Sequence, residues 1–443
     1  MKQTRRTFLN NVAVAGAGLT AALSSASSYS RVLGANDRIN LGFVGLRSRG
    51  MALIGSAATI GGGDIRVHSL CDVDAQVLGD IGTKVAESIG YAQKTEADFR
   101  RMVEDPEIDA IVIATPDHTH APFAIYAMQE GKHVYLEKPC SYNARECELL
   151  VDAQQRYGRV VQMGNQQRSA PTSIKAVSDI HAGVIGRAYM GKAWYSNKRG
   201  GIGTGVVADV PDWLDWDLWQ GPAPRRPYKD NIVHYNWHWF THWGTGEINN
   251  NALHELDICR WALGVELPSR VTSTGGRYHF KDDWEFYDTQ IASYEYAGNK
   301  MISWEGRSCN DLKFYERGRG ATIYGTEGSV LIDRNGYLRF DLEGNLVEKV
   351  DEPEASGTTD LVGDGPLGEF HLQNFFDVVR EGGQLRSPIN EGATSTLMCH
   401  LGNISQQVGR VLDIDTNTGH ILGDDEAMAS WSREYEDGWS PEI

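Results

Sequence analysis

A glycine-bounded turn near the start of the chain constrains the fold more than any other feature. It follows a short apolar run at residues 40–44 and leads into a second apolar segment at 51–58. A strand that passes through such a turn into a helix leaves unpaired backbone N–H groups at the positive end of the helix dipole, where a pyrophosphate binds well. The candidate cofactor-binding residues of the turn are Gly45, Arg47, Ser48, Arg49 and Gly50. The sequence therefore predicts a dinucleotide site, although Arg47 replaces the middle glycine of the G-x-G-x-x-G fingerprint.

The next predicted strand supports this site, and the residue at its end distinguishes NAD from NADP. Residues 65–71 form an apolar run that ends in Asp72, about 20 residues beyond Gly50. A carboxylate at that spacing accepts hydrogen bonds from the adenosine ribose hydroxyls and repels a 2′-phosphate. The expected cofactor is therefore NAD. Arg47 could clasp the pyrophosphate or favour NADP, and Asp72 argues against NADP.

Between residues 36 and 164, apolar runs alternate with helical segments. Strand-like runs lie at 40–44, 65–71, 109–115, 133–136 and 159–163. Helix-like segments lie at 51–58, 75–89, 97–104, 118–130 and 143–157. Continuous apolar strands separated by helices indicate a parallel sheet that is buried on both faces. We therefore predict an α/β fold whose first domain, residues 36–164, is a doubly wound Rossmann domain.

The pattern changes after residue 165. Strand-like runs lie at 187–195, 286–296, 301–304, 321–324, 329–332 and 337–340. No helices intervene in this prediction, and the turns carry Gly-Asn, Glu-Gly and Asn-Gly pairs that are typical of hairpins. Two helices at 369–381 and 391–412 close the chain, and 350–365 is the best candidate for a flexible loop. The second domain, residues 165–443, is therefore expected to be α+β with an open, mainly antiparallel sheet.

The first 35 residues have the pattern of an export signal rather than of a folded domain. Arg5 and Arg6 form a twin-arginine pair ahead of a modestly apolar region that is too short and glycine-rich to span a membrane. This pattern predicts export of the folded protein to the periplasm. Because a periplasmic enzyme has no free nucleotide pool, its NAD is expected to be bound before export and regenerated in place.

Charge and cysteine content narrow the possible partners. The chain has 42 lysines and arginines against 59 acids, a net charge of −17. This balance disfavours nucleic acid and an anionic membrane surface. The six cysteines contain no CxxC pair and lie mostly in apolar runs, which favours buried thiols over a zinc site or a disulfide framework. A small neutral solute is the expected partner.

Two further stretches carry residues suited to chemistry. Loops at the carboxyl ends of parallel strands bind ligands, and the later strands of the first domain end in such loops. The candidates in those loops are Thr115, Pro116, His120, Glu137 and Lys138. If the segment from about residue 250 is helical, one face carries Asn250, His254, Asp257 and Trp261. A histidine among polar neighbours is a candidate general base near neutral pH.

Together these motifs resemble the Gfo/Idh/MocA family of nicotinamide-dependent sugar and polyol oxidoreductases. The resemblance covers nearly everything after residue 38 and rests on residues 45–50, 115–116, 137–139, 164–166, the His254 helix and 401–403. It implies that Lys138 and His254 are the catalytic residues that flank the substrate, that Asn165 contributes to the cofactor site, and that the second domain forms oligomer contacts. The expected substrate-binding residues are Arg168, Trp237, His238, Asn250 and Asp257.

One departure from the family pattern concerns Asn250. Polyol dehydrogenases of the family usually place an aspartate four residues before the catalytic histidine, and this chain has an asparagine there. Without the carboxylate the pKa of the imidazole is not raised, so His254 is expected to be a weaker base and Lys138 the more important residue.

Three histidines spaced four residues apart, His234, His238 and His242, precede that helix. Three imidazoles on one helical face could bind a metal. Acids that would complete the coordination sphere are absent nearby, and the interleaved tryptophans suit a sugar cleft. We therefore expect no metal and interpret the segment as a carbohydrate-binding wall.

The leading functional hypothesis is an exported NAD-dependent oxidoreductase that acts on a secondary hydroxyl of a sugar, polyol or glycoside, in a homo-oligomer of two or four subunits. A second hypothesis is a glycosidase similar to the exported NAD-dependent α-N-acetylgalactosaminidases, which oxidise transiently, eliminate the glycosidic substituent, add water and return the hydride. A third is a non-catalytic sugar-binding or scaffold protein, against which Lys138 and His254 weigh.

Overall fold

The computed structural model describes residues 38–61, 63–352 and 366–443. The predicted export signal and most of the predicted flexible loop at 350–365 lie outside these residues. The described part of the chain forms two sheets. None of its helices combines the length and the apolar composition that crossing a bilayer requires.

The first sheet is the parallel sheet predicted from the sequence. Its strands within the described residues are β1 (Ile39–Val44), β2 (Ile65–Cys71), β3 (Lys94–Glu96), β4 (Ala110–Ile113), β5 (His133–Leu136) and β6 (Val161–Met163). They lie in the order β3-β2-β1-β4-β5-β6, and all neighbours are parallel. From β1 the sheet continues through β2 and β3 on one side and through β4, β5 and β6 on the other. The loops that follow β1 and β4 therefore lead away from each other, and a crevice forms between them, where nucleotides bind in folds of this kind. The doubly wound prediction is confirmed.

Helices cover both faces of this sheet. They are α1 (Ser48–Ile60), α2 (Ala75–Ile89), α3 (Phe99–Val103), α4 (Asp117–Gln129) and α5 (Ala144–Tyr157). Along β4, Ile111 and Ile113 pack into the core on one face, while Ala110 and Val112 pack into the core on the other. This is why the strand reads as a continuous apolar run. The exposed β3 carries no such run, and the sequence did not predict it.

The second sheet is mixed and mainly antiparallel. Its strands within the described residues are β7 (Ala188–Ser196), β8 (Arg270–Gly276), β9 (Thr289–Tyr296), β10 (Lys300–Arg307), β11 (Arg319–Gly325), β12 (Ser329–Asp333), β13 (Gly336–Phe340), β14 (Leu346–Asp351) and β15 (Leu412–Asp413). They lie in the order β14-β13-β12-β11-β7-β10-β9-β8-β15. The β7 and β10 strands pair in parallel and the other neighbours pair antiparallel.

Helical segments do interrupt the strand series between β7 and β8, contrary to the sequence prediction, whereas the helix that carries His254 and the two closing helices at 369–381 and 391–412 were predicted. The α-helices are α6 (Pro171–His181), α7 (Trp216–Gln220), α8 (Leu253–Leu263), α9 (Pro366–Glu381), α10 (Ile389–Val408) and α11 (Asp425–Met428). Two other segments matter for the site, a 3₁₀ segment at Asn236–Trp239 and a π segment at Ile248–Ala252 that leads directly into α8. Both belong to the long insertion between β7 and β8.

The C-terminal helices return to the first domain. Helix α9 packs against α1, and its side chains Leu372, Phe375 and Phe376 are buried in the core formed by β1, β2 and their helices. Helix α10 packs against α5. The two domains therefore share their cores, and the Rossmann domain is completed by residues far beyond the predicted boundary at 164.

Part of the β7–β8 insertion lies over the nucleotide side of the first domain. We call residues 211–221 the strap. Its backbone pairs with the loop after β2: the Ala75 amide donates to the Trp213 carbonyl at 2.8 Å, and the Asp215 amide donates to the Val73 carbonyl at 3.0 Å. Near the chain end, the Trp439 ring stacks on Phe123 with centroids 6.0 Å apart. The strap and Trp439 thus cover the first domain from two sides.

Candidate active site

A cavity of about 720 Å³ lies where the two domains meet. On the first domain its wall consists of the loops that follow β1, β2, β4 and β5. On the second domain its wall consists of the end of β7, the strap, the 3₁₀ segment, the π segment and the start of α8, and Trp439 adds a further side. A cavity of this size is within the range of small-molecule and cofactor sites.

The turn after β1 fits a pyrophosphate. Gly45 has φ of +80°, and a Cβ on Gly45 or on Gly50 would overlap a backbone carbonyl oxygen, of Ala114 and of Gly45 respectively. No side chain among the described residues caps the start of α1. Arg47, in the position of the missing glycine, has an ordinary extended backbone, and half of its side chain is exposed. The close approach that the fingerprint needs is therefore preserved without a glycine at residue 47.

Asp72 lies at the end of β2 and lines the cavity. Its Oδ2 accepts a hydrogen bond from the Leu46 amide at 2.8 Å, and its Oδ1 accepts one from the Asp74 amide at 3.0 Å. Burial raises the pKa of Asp72 to about 6, so the group is ionised at neutral pH. Because a carboxylate has about four acceptor sites, it can still accept from ribose hydroxyls. The residues present therefore fit NAD.

Glu137 lines the cavity, as predicted, and also supports the turn. Its Oε1 accepts from Arg49 Nε at 2.7 Å and from Gln166 Nε2 at 3.0 Å. The side chain is buried, and a Cβ on Gly164 would overlap its carboxylate. Glu137 thereby joins the β1 turn to the loops after β5 and β6 and fixes the start of the segment that carries Lys138.

Lys138 lies between the nucleotide turn and the second domain. Its Nζ donates to the Asn250 backbone oxygen at 2.6 Å and to the Asn250 side-chain oxygen at 3.1 Å. Burial lowers the pKa of Lys138 below its usual value, although Glu137 and Asp117 act in the opposite direction. A lysine with a lowered pKa that lines a cavity is suited to proton transfer.

Two neutral histidines line the same cavity. Burial lowers the pKa of His254 well below its usual value, and Arg334 and Lys138 add to the shift. Its Nε2 is buried without a hydrogen-bond partner among the described residues. His238 Nδ1 donates to the Tyr235 carbonyl at 2.6 Å, and burial lowers the pKa of His238 to about 3. His238 Nε2 is therefore an acceptor.

The structure also adds residues that the sequence did not reveal. The cavity wall on the second domain includes Tyr195, Asn197, Arg199, Tyr235 and Asn251. Arg199 Nε donates to the buried Glu247 at 2.8 Å, so this wall is held by an ion pair. The 197–205 stretch is rich in glycine and basic residues without a recognisable motif, and only the run of three asparagines at 249–251 gave any signal.

Several predicted site residues lie away from the cavity. Arg168 and Asp257 form a buried pair, with Nε–Oδ2 and Nη2–Oδ1 distances of 2.7 and 2.8 Å, and neither lines the cavity. Asp257 lies about one helical turn beyond His254, beyond the part of α8 that lines the cavity, and there its carboxylate contacts Arg168. Asn165 is buried outside the lining, and Gly50 lies within the turn rather than at its surface.

His120 lines the cavity, but neither of its ring nitrogens is left for a cofactor. Its Nδ1 lies 2.6 Å from the Pro139 carbonyl oxygen, and its Nε2 lies 2.7 Å from the Thr115 carbonyl oxygen. The ring thus ties the loop after β4 to the loop after β5. Thr115 and Pro116, which were also predicted, do line the cavity.

The three histidines of the aromatic segment do not converge. Only Asn236–Trp239 is helical, as a 3₁₀ segment. His234 Nε2 lies 3.3 Å from Asp74, His238 donates to Tyr235, and His242 Nε2 lies 2.7 Å from the Pro224 carbonyl oxygen. The single helical face that a metal would need does not form. Trp237 and His238 both line the cavity, with their rings stacked at a centroid distance of 3.6 Å.

Comparison with known proteins assigns both domains to one family. A model described as the oxidoreductase family, NAD-binding Rossmann fold, of Gfo/Idh/MocA proteins matches residues 39–165. A model described as the C-terminal alpha/beta domain of the same family matches residues 185–334. Together they cover more than half of the chain.

Individual relatives are distant. Inositol 2-dehydrogenase 2 of Saccharopolyspora erythraea is 27% identical over 268 residues, which are 60% of this chain and 66% of that protein. A glycosyl hydrolase family 109 protein of Shewanella pealeana is 26% identical over 213 residues, which are 44% of this chain and 46% of that protein. The matches thus span just under two thirds of the first relative and less than half of the second.

Among solved structures, a levoglucosan dehydrogenase in complex with NADH and levoglucosan matches with a TM-score of 0.64. The two sequences are 20% identical, and the match covers 85% of this chain and 99% of that chain. At this identity the likeness concerns the fold. The fold and the glycine turn define a dinucleotide-binding protein with a second, sheet-based domain. The chain belongs to the Gfo/Idh/MocA oxidoreductase family, and its first domain is the NAD-binding Rossmann fold of that family.

Proposed function

We propose that this protein is an exported NAD-dependent oxidoreductase that acts on a secondary hydroxyl of a neutral sugar, polyol or glycoside. The observation that carries the proposal is the placement of Lys138. It lies where the nucleotide turn meets the polar wall of the second domain, and two of its hydrogen-bonding contacts go to Asn250. An ammonium group has three donors, so one remains for a substrate oxygen.

Proton transfer is assigned to Lys138. When bound, NAD supplies the hydride acceptor. Lys138 in its neutral form removes the proton of the substrate hydroxyl as the carbonyl group forms, and its lowered pKa increases the neutral fraction near physiological pH. In the reverse direction the ammonium group returns the proton. His254 and His238 are uncharged at neutral pH, so each ring has one nitrogen that can accept a hydrogen bond. We assign to them the binding of substrate hydroxyl groups.

A neutral substrate is supported by the charges of the second-domain wall. Arg199 of the wall pairs with Glu247, and Arg319, which lies against the Tyr195 ring without lining the cavity, pairs with Glu255 through two contacts of 2.7 and 3.1 Å. These cations are therefore compensated, and the wall presents hydroxyl, amide, imidazole and indole groups to the cavity. Such groups recognise polyhydroxy compounds, whereas an uncompensated arginine would be expected for a carboxylate or a phosphate.

Retention of NAD through the catalytic cycle is supported by the strap. Leu214, Leu218 and Trp219 of the strap line the cavity together with Trp439. The strap is fixed to the β2 loop by backbone hydrogen bonds, so we infer that release of a bound nucleotide is slowed by the need to open them. This enclosure suits an exported enzyme, for which the twin-arginine pattern of residues 1–35 is the sequence support.

A homo-oligomer is part of the proposal. Along β9, alternate residues such as Gln290, Ala292 and Tyr294 are buried while Ile291 is half exposed, so one face of the second sheet is open. An open sheet face is available for a second copy of the chain. Light scattering on the purified protein tests this: a dimer or tetramer is expected, and a monomer would contradict it.

A second candidate is a glycosidase that works through transient oxidation, elimination and re-reduction. It is favoured by the similarity to the family 109 glycosyl hydrolase and by the strap and Trp439 that line the cavity, since such a cycle leaves the bound NAD unchanged and needs no exchange of it. The chemistry of the two candidates differs in its products. A dehydrogenase yields a keto sugar, and a glycosidase releases the aglycone.

One experiment separates these functions. Purified protein is incubated with myo-inositol, D-glucose, levoglucosan and a set of nitrophenyl glycosides. Absorbance at 340 nm reports reduction of the bound NAD, mass spectrometry reports a keto sugar, and released nitrophenol reports glycoside cleavage. We expect reduction of the bound nucleotide by at least one polyol or sugar. Release of nitrophenol without a keto product would establish the glycosidase, and no change with any compound would refute both.

A further inference from the structure

The oxygen of the Tyr195 hydroxyl group accepts two hydrogen bonds from neighbouring side chains. Tyr195 is the penultimate residue of β7, and its ring is buried against the second sheet. Its oxygen accepts from Asn197 Nδ2 at 2.8 Å and from Arg199 Nη2 at 3.2 Å. A phenol oxygen offers two acceptor sites and one O–H donor. The protein therefore occupies both acceptor sites.

The O–H donor of Tyr195 remains available. In the described part of the chain no acceptor lies within hydrogen-bonding distance of it, and Tyr195 lines the cavity. Burial raises the pKa of Tyr195 to about 12, so the proton stays on the oxygen at any physiological pH. With the protein occupying the two lone pairs, the hydrogen is left for a ligand in the cavity.

The group is also fixed in position before a ligand arrives. Arg199 is held by the buried Glu247, through Nε–Oε2 and Nη2–Oε1 distances of 2.8 and 3.3 Å. Glu247 in turn accepts from Ser308 Oγ at 2.7 Å. The guanidinium carbon of Arg319 lies 5.2 Å from the centroid of the Tyr195 ring. A donor that is already oriented loses little entropy when it binds, which increases its contribution to affinity.

We infer that Tyr195 donates a hydrogen bond to a hydroxyl or ring oxygen of the substrate and thereby selects for a sugar with an acceptor at that position. The inference rests on the proposed function and adds a specificity-determining residue to the same cavity. A compound with an alkyl group at that position leaves the Tyr195 O–H without an acceptor, and a compound with an ammonium group places a second donor against it. Sites of this kind bind such compounds much more weakly.

The test uses Tyr195→Phe, which removes only the hydroxyl group. Tyr294→Phe is the matched control, because Tyr294 is buried in the same sheet, its hydroxyl has no partner among the described residues, and it does not line the cavity. Calorimetry on the NAD-loaded proteins measures the affinity for each sugar of the panel above. We expect Tyr195→Phe to weaken binding by about three- to tenfold, the range of a neutral hydrogen bond, while its NAD content stays unchanged. Tyr294→Phe should bind as the wild type does.

The outcomes distinguish the inference from the proposed function. Equal affinities of the wild type and Tyr195→Phe, for a sugar that binds, would overturn the inference and leave the function standing. Weaker binding by Tyr195→Phe, in a protein whose bound NAD no sugar reduces, would support the inference and overturn the function. A wild-type protein that binds none of the sugars would overturn both.

Discussion

Replacing Asn250 by aspartate should change the protonation of Lys138. The side-chain oxygen of Asn250 lies 3.1 Å from Lys138 Nζ, so the new carboxylate would face the ammonium group at that distance. At an effective dielectric constant of about 20, two unit charges this close attract by about 5 kcal/mol, an upper bound in a solvent-accessible cavity. Measured pairs of this kind shift a pKa by about 1–3 units. We therefore expect Asn250→Asp to raise the pKa of Lys138 by about 1–3 units.

The assay is the pH–rate profile of sugar oxidation, measured as reduction of NAD at 340 nm. If neutral Lys138 is the base, the rate rises with pH until the pKa of Lys138, which burial has lowered below 10.5. In Asn250→Asp this rise should move to higher pH by about 1–3 units, and the rate at a fixed pH below it should fall about tenfold for each unit. Raising the pH should restore the rate.

Asn250→Ala is the control, since it removes the side-chain acceptor but keeps the backbone contact of 2.6 Å. Its alkaline rise should stay in place or move to lower pH. An unchanged alkaline rise in Asn250→Asp, together with a moved acidic limb, would refute this effect on Lys138. That result would mean that residue 250 acts on His254, as the family pattern alone had suggested.

Three further predictions concern the cofactor and the catalytic residues. Protein purified without added nucleotide should carry NAD, because the strap and Trp439 line the cavity and slow its release, and an acid extract of folded protein without nucleotide would contradict this. NAD should be preferred over NADP by at least about tenfold, which is about 1.4 kcal/mol, and Asp72→Ala should reduce the preference in titrations of apoprotein with the two nucleotides; a wild type that prefers NADP would overturn the role of Asp72. Lys138→Ala should lower kcat about a hundredfold or more with NAD still bound, and His254→Ala should cost less, since burial already keeps His254 neutral. Near-wild-type turnover of Lys138→Ala would move the proton transfer to another residue.

The sequence predicted the first domain well because its signals are local. An apolar run, a turn with Gly45 and a carboxylate at residue 72 each depend on a few neighbouring residues, and the parallel sheet follows from their alternation with helices. Lys138 was found for the same reason, since it follows a buried strand directly. The short β3 has no apolar run, and only pairing with β2 makes it a strand.

The second domain was harder to predict because its site is assembled from distant segments. Tyr195, Arg199 and Glu247 come together through the packing of β7 against the insertion, and no spacing in the sequence reports that contact. The prediction that Asn250, His254 and Asp257 share one helical face assumed a regular α-helix from about residue 250. The π segment changes its start, and the pairing of Asp257 with Arg168 depends on a contact between residues 89 positions apart.

The position of Trp439 has a consequence for the order in which the protein is made. The nucleotide turn, Asp72 and Lys138 all lie within the first third of the chain, whereas Trp439, which lines the same cavity, follows Lys138 by 301 residues. The ribosome therefore synthesises the nucleotide turn, Asp72 and Lys138 well before Trp439, and also before α9, whose Leu372, Phe375 and Phe376 complete the core of the first domain. Once the C-terminus has docked, exchange of the nucleotide requires local opening of that segment or of the strap, so its rate should not depend on how much nucleotide is present outside. We therefore expect loading before Trp439 docks to be faster than loading of the finished protein.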